Sequence, residues 1–438
     1  MTRVAITGHG IGGRLDLPVP MTFFVAGAAV VLIVSFVALA VLWPRPRLQD
    51  GPVTQTTGLR PPMGVLRVSG LIGLALAVLA GLASAISGTG QVGSRNIGPV
   101  LLWVYFWLVV PFLSVFVGNL YSGLNPWRSV AEWLDLGPSG PDGDPRQVVA
   151  RWGLWPATVG LVVFAWVELV YPDSAAPTAV GVAAALYTVY LLVLITGFGM
   201  EPALTTFDVF TSYNRLISSI GPLGRDSSGR LVKRGWLRAL PVVPEWKGLP
   251  AFLVVMIGTV SYDGLSATTW WEAAMGSFGS SLPGQTLLLI GACLLIGAGY
   301  YLACVAAARM GGEGSSPRRV AARFAHTLVP IAFAYAFAHY FTLVLFEGQG
   351  IISAVSDPLG LGWDLFGTRG YRISFFLGPL PVWYVQVAVI VLGHVAGVVL
   401  AHDRALADFK GTGAVRSQYA MLMLMVLLTG LGLFILAG

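Results

Sequence analysis

Apolar runs of about twenty residues recur along the chain at 20–43, 68–87, 97–120, 152–171, 177–200, 248–269, 283–308, 325–346, 380–401 and 418–437. A helix rises about 1.5 Å per residue, so a run of that length reaches across a hydrocarbon core of about 30 Å. Lipid offers the backbone no hydrogen bonds, and a helix satisfies its own. Only 11% of the 438 residues are charged and 56% are apolar, whereas soluble domains carry about a quarter charged residues. The expected fold is therefore all-α, a polytopic transmembrane helical bundle of about ten spans. The run 248–269 is the weakest, because Tyr262-Asp263-Gly264 interrupts it. Cys293 and Cys304 share one run, about 16 Å apart at helical rise, too far to form a disulfide.

Charge sets the expected orientation. Arg45, Arg47, Arg60 and Arg67 follow the first run, Arg128, Arg146 and Arg151 the third, and Arg215, Arg225, Arg230, Lys233, Arg234, Arg238 and Lys247 the fifth. Arg309, Arg318, Arg319 and Arg323 follow the seventh, and Arg404, Lys410 and Arg416 the ninth; the other face holds only Arg3, Arg14, Arg95, Arg369 and Arg372. Cationic loops stay in the cytoplasm. The expectation is a multi-pass plasma-membrane protein with both termini extracytoplasmic, whose basic residues serve topology and bind no nucleic acid. The domain plan is an extracytoplasmic arm at 1–19 and a single transmembrane domain at 20–438, with a long cytoplasmic loop at 201–247 and an external lid loop at 347–379. In the long loop, Glu201, Asp208, Tyr213 and Asn214 are polar enough to line a cytoplasmic mouth, and Asn125-Pro126-Trp127-Arg128 reads as the start of an interfacial helix.

Few residues suggest chemistry. Gly8, Gly10 and Gly13 have dinucleotide-fingerprint spacing, but a membrane span follows where a βαβ unit is required, which argues against nucleotide binding. The five histidines are more informative. His9 belongs to the arm, His326 and His339 share the eighth run, and His394 and His402 share the ninth. The eighth and ninth runs are antiparallel neighbours in sequence, and helical rise brings His339 and His394 to similar depth. Imidazoles inside a membrane usually face the protein interior and serve a ligand, a proton path or a hydrogen bond. The candidate metal ligands are His339, His394, His9 and Glu347, with Cu, Zn or Fe as the ion and Tyr335, Tyr340 or Glu168 supporting. The carboxylates of Glu168, Asp263, Glu347 and Asp357, with His9 and Asp16, also offer a metal or hydrolytic site at an outer mouth. Haem is not expected, because the thirteen-residue spacing of His326 and His339 is not matched by the eight of His394 and His402. No catalytic residue stands out.

The segments "GHGIGGRLDLPVP", "FFVAGAAVVLIVSFVALAVLWPRPRL", "NPWRS", "YNRLISSIGPLGR" and "HVAGVVLAHDRAL" resemble actinobacterial multispan membrane proteins labelled fenitrothion hydrolase. The resemblance covers most of the chain and implies hydrolysis of a hydrophobic organophosphate-like ester. Residues alone leave two classes level: a metal-dependent hydrolase, and a permease or metal-ion handling protein using the same histidines. The resemblance places the hydrolase first. A non-catalytic accessory subunit is the third expectation. The partners implied are the bilayer, a small hydrophobic substrate or ion, and a partner subunit.

Overall fold

The computed structural model describes residues 20–88, 96–137, 145–226, 228–312 and 315–437. The arm at 1–19, with His9, Asp16 and the three glycines, lies outside the described residues. Among the described residues, nine helices are long and apolar enough to cross a membrane: α1 Met21–Leu42, α2 Met63–Ser87, α3 Ile97–Val117, α4 Pro177–Phe198, α5 Leu249–Ser266, α6 Leu282–Met310, α7 Pro317–Leu345, α8 Pro379–Asp408 and α9 Thr412–Ala437. The expected run 152–171 forms a shorter helix, Trp155–Leu169. Pro156 fixes its first turn and Pro172 stands just past its end, where a missing N–H and a locked φ do not allow helix to continue. The helices carry their apolar side chains outward as well as inward: Val41, Ile86, Leu186, Leu294 and Leu302 are all exposed. A surface of this kind suits lipid and not water. The architecture is that of a multi-pass membrane bundle.

The chain divides into two compact units. The first comprises Met1–Val53, Arg234–Thr342 and Leu377–Gly438, and so holds α1 and α5 to α9. Within it α9 packs against α1, α6 and α8, and α5 packs along α6. Small residues allow these approaches. A Cβ at Gly258 would stand 2.6 Å from the Cα of Cys293, and one at Gly393 would stand 2.8 Å from the Pro330 carbonyl oxygen. At the end bearing the basic loops, Asp403 of α8 accepts hydrogen bonds from Trp43 Nε1 at 3.0 Å, Arg47 N at 2.6 Å, Leu48 N at 3.1 Å and Gln49 Nε2 at 2.7 Å. One carboxylate thereby organises the chain leaving α1. In Asp403→Ala the amides of Arg47 and Leu48 are expected to exchange with deuterium at least about tenfold faster, since about 1.4 kcal/mol of local protection corresponds to a factor of ten. Unchanged exchange there would show that the turn holds itself.

The second unit comprises Thr54–Lys233 and Leu343–Phe376. Here α2 packs along α4, with Gly81 and Gly181 backbone to backbone. The segment expected as a loop beyond 201 instead folds back into the unit as two helices, Met200–Thr206 and Val209–Ser218, most of whose residues are buried. Val209 packs on Gly160 of the Trp155–Leu169 helix, and the hydroxyl of Tyr187, near the middle of α4, bonds Asp208. The turn between the two helices is therefore inside the bundle. The segment beginning Asn125-Pro126 is likewise packed in: its helix Pro126–Trp133 places Trp127 Nε1 3.0 Å from Thr188 Oγ1, and Trp127 is buried. At the surface, Arg128 pairs with Glu201 at 2.6 Å and holds that carboxyl below its usual range. A small antiparallel sheet, ordered Gln55–Thr56, Leu231–Lys233, Leu223–Arg225, pairs Thr56 and Gly224 with Val232 across its middle strand.

Candidate functional site

The weakest run in the sequence carries the most informative group. Leu249–Ser266 is one continuous helix, opened by Gly248 at φ 83° with Pro250 in its first turn, and Tyr262, Asp263 and Gly264 are all buried within it. Asp263 Oδ2 receives the Tyr340 hydroxyl at 2.8 Å, and His339 Nε2 stands 2.8 Å from the same oxygen. Neighbouring positions on α7 thus converge on one carboxylate of α5. Gly264 makes room for this: a Cβ there would meet Ile435 and would stand 3.4 Å from His339 Nδ1. A narrow cavity lies beside the cluster, lined by His339, Tyr335, Ala338, Val260, Ile390 and Gly432 among others.

Three buried imidazoles of the first unit follow a common pattern. His326 Nδ1 is 2.9 Å from the Arg323 carbonyl, and His394 Nδ1 is 2.8 Å from the Ile390 carbonyl. Each ring therefore has an N–H donated to a helix oxygen or, for His339, to the Asp263 carboxylate. The other nitrogen, Nε2 of His326, Nε2 of His394 or Nδ1 of His339, is buried without a hydrogen-bond partner. Such groups are rare and costly in a folded interior. His402 differs: its Nδ1 and Nε2 are each 3.0 Å from an oxygen, Gln418 Oε1 and the Trp43 carbonyl, and so it ties α8 to α9 and α1.

The predicted metal set is not assembled. Among the described residues no group of three or more His, Cys, Asp or Glu comes together to hold an ion. The physical reason is that the described candidates meet different neighbours. His339 commits Nε2 to Asp263, His394 neighbours Tyr335 with ring centroids 6.0 Å apart and bonds its own helix, and Glu347 is an exposed residue of the second unit. His9 lies outside the described residues, and Glu168 belongs to the second unit. The expectations of a Cu, Zn or Fe cofactor and of metal-ion handling are thereby corrected.

Two acids that the sequence suggests only as residues of an outer and a cytoplasmic mouth take other places in the fold. Asp263 reads in the sequence as one of several carboxylates for an outer mouth; its position inside an apolar run was the usable signal, since an ionisable group in a span is a functional candidate by default. Asp208 lies in the second unit, fully buried, and accepts five hydrogen bonds: from Thr211 Oγ1 at 2.6 Å, Tyr187 Oη at 2.9 Å, the Phe210 amide at 3.0 Å, and Tyr121 Oη and Asn125 Nδ2 at 3.1 Å. Five donors satisfy a carboxylate's acceptor capacity, so Asp208 holds the broken helices together and has little capacity left for a ligand.

Comparison of the chain with protein-family models, curated proteins and solved structures gives no match. With the metal set absent among the described residues and no relative to support it, the expectation of a metal-dependent ester hydrolase does not hold.

Proposed function

We propose that this is a proton-translocating protein of the plasma membrane, in which Asp263 with His339 and Tyr340 forms the proton-binding site. One observation carries the reading: a buried carboxylate bonded to an imidazole whose remaining nitrogen is buried, unpartnered and beside a cavity. A carboxylate and an imidazole 2.8 Å apart can exchange a proton without reorganising the helices. No metal or hydrolytic water is needed.

The other histidines give the proton a direction. Gly393 abuts Pro330 and Gly397 abuts Ile331 and the Thr327 carbonyl, so His394 lies between the levels of His326 and His339 along α7. Three imidazoles with one free nitrogen each are thus stepped along one helix pair. The steps are roughly 8 to 12 Å at helical rise, so water or side-chain movement must bridge them. The loop charge bias supports a cytoplasmic basic-loop end. Asp263, three residues from the end of α5, then faces the outer side and His326 the cytoplasmic side.

The test is a pH jump on protein reconstituted in liposomes adsorbed to a solid support. Wild type is expected to give a charge displacement on proton uptake, reduced about tenfold or more in Asp263→Asn and in His339→Gln. Wild-type traces equal to those of empty liposomes would overturn the assignment, as would full signals from both variants.

A further inference from the structure

We infer that the second unit forms the wall of a water-filled vestibule, open to the extracytoplasmic side, that brings cationic solutes down to Glu347. The inference does not depend on the proton site, which lies in the first unit. It starts from depth. A Cβ on Gly98 of α3 would touch Val180 of α4 and Ala80 of α2, at 3.6 and 3.8 Å. Val180 is three residues inside its helix end and Ala80 seven. The segment after α7 runs alongside α3: Pro358 accepts the Ile97 amide at 3.1 Å, Gly350 meets Val100, and Gly348 meets Val104 and accepts the Tyr105 hydroxyl at 3.2 Å. Val104 therefore sits roughly 13 to 19 Å below the ends of α2 and α4. Gly348 is at that level, and Glu347 adjoins it.

The descending stretch 371–376 reaches the same level. Gln349 clamps it, donating from Nε2 to the Ser374 carbonyl at 2.9 Å and accepting at Oε1 from the Ser374 amide at 3.0 Å and the Tyr371 hydroxyl at 2.9 Å. Phe346 packs on Phe375 and Phe376, with ring centroids 4.9 and 5.9 Å apart.

Two independent features of this level are incompatible with lipid. Residues 371–376 are non-helical, and the backbone N–H groups of Ile373, Phe375 and Phe376 find no acceptor among the described residues. Irregular backbone at hydrocarbon depth is tolerated only where protein covers it or water reaches it. Ser374, Phe375 and Phe376 are exposed, which leaves water. Glu347 is exposed as well, and a charge at such depth is stable only with water or a partner at hand. The exposed charge at this level being the Glu347 carboxylate, the vestibule favours cations. Arg372 stands higher on the same stretch, and Arg369 faces Asp357 at 3.6 Å.

Cysteine labelling tests this on the full chain in spheroplasts, in a Cys293→Ala/Cys304→Ala background. Glu347→Cys and Ser374→Cys are expected to react with a membrane-impermeant trimethylammonium-ethyl methanethiosulfonate added outside. The lipid-facing controls Leu186→Cys and Leu294→Cys are expected to react at least tenfold more slowly. At Ser374→Cys the ratio of the cationic to the anionic sulfonate reagent's rate should fall about fivefold when Glu347→Gln is added. Rates at positions 347 and 374 no faster than the lipid controls from either side overturn the vestibule. Reaction only from the cytoplasmic side overturns its placement, and an unchanged ratio overturns the preference for cations.

Discussion

Asp208→Ala is expected to destabilise the second unit by about 4 kcal/mol or more, since each buried donor left without an acceptor costs about 1–3 kcal/mol. Alanine would orphan the Tyr121, Tyr187 and Thr211 hydroxyls, the Asn125 amide and the Phe210 N–H together. The hydroxyls can turn to other acceptors, which is why the total falls short of five full penalties. Asp208→Asn separates this account from simple loss of packing. Its amide keeps one oxygen for Tyr187 and Phe210, but its NH₂ group then confronts the Asn125 NH₂ donor. About half the alanine cost is expected. Thermal unfolding in detergent checks both, with a midpoint lowered by roughly 10 °C for alanine and about half that for asparagine. Equal midpoints for wild type and alanine would mean that the carboxylate is not the keystone of the folded-back helices.

Asp208 also shows where the sequence stops being legible. The nine long helices follow from runs of apolar residues, because the length of a span is a one-dimensional property. The hairpin Met200–Ser218 carries the polar residues Glu201, Asp208, Ser212 and Asn214, and its polarity reads as cytoplasmic loop. Those groups are buried because partners on other elements satisfy them: Asn214 reaches Ser114 of α3, and Asp208 reaches Tyr187 of α4. Such pairings depend on which helices adjoin, and that is not written in local hydropathy.

The candidate site repeats the lesson at smaller scale. Helical rise alone places His339 and His394 at nearby depths, and His394 does lie close to Tyr335, one turn from His339. Depth fixes neither rotation about the helix axis nor the neighbour that each face meets. Rotation turns His339 toward α5, where the acid that interrupts the weakest apolar run is waiting. The metal reading rested on two imidazoles facing each other, and one carboxylate from a third helix is enough to redirect it.

Gly81 and Gly181 provide the second large effect. A Cβ on Gly81 would stand 2.6 Å from the Gly181 Cα and 2.8 Å from the Pro177 carbonyl oxygen, and a Cβ on Gly181 would stand 2.7 Å from the Gly81 Cα. Both obstacles are backbone, so neither can swing aside, and α2 must separate from α4. Without a hydrophobic force between helices in lipid, this close contact is itself a main source of their association. Each single alanine is expected to cost about 1–3 kcal/mol and Gly81→Leu clearly more, measured as the shift in denaturant-induced unfolding in mixed micelles. The decisive result is the double variant. Once the first alanine has pushed the helices apart, the second enters space already opened, so Gly81→Ala/Gly181→Ala should fall short of the summed single costs by about 0.5 kcal/mol or more. Strict additivity would show that the two glycines do not share one crossing point, and the packing of α2 on α4 would have to rest on the larger side chains around them.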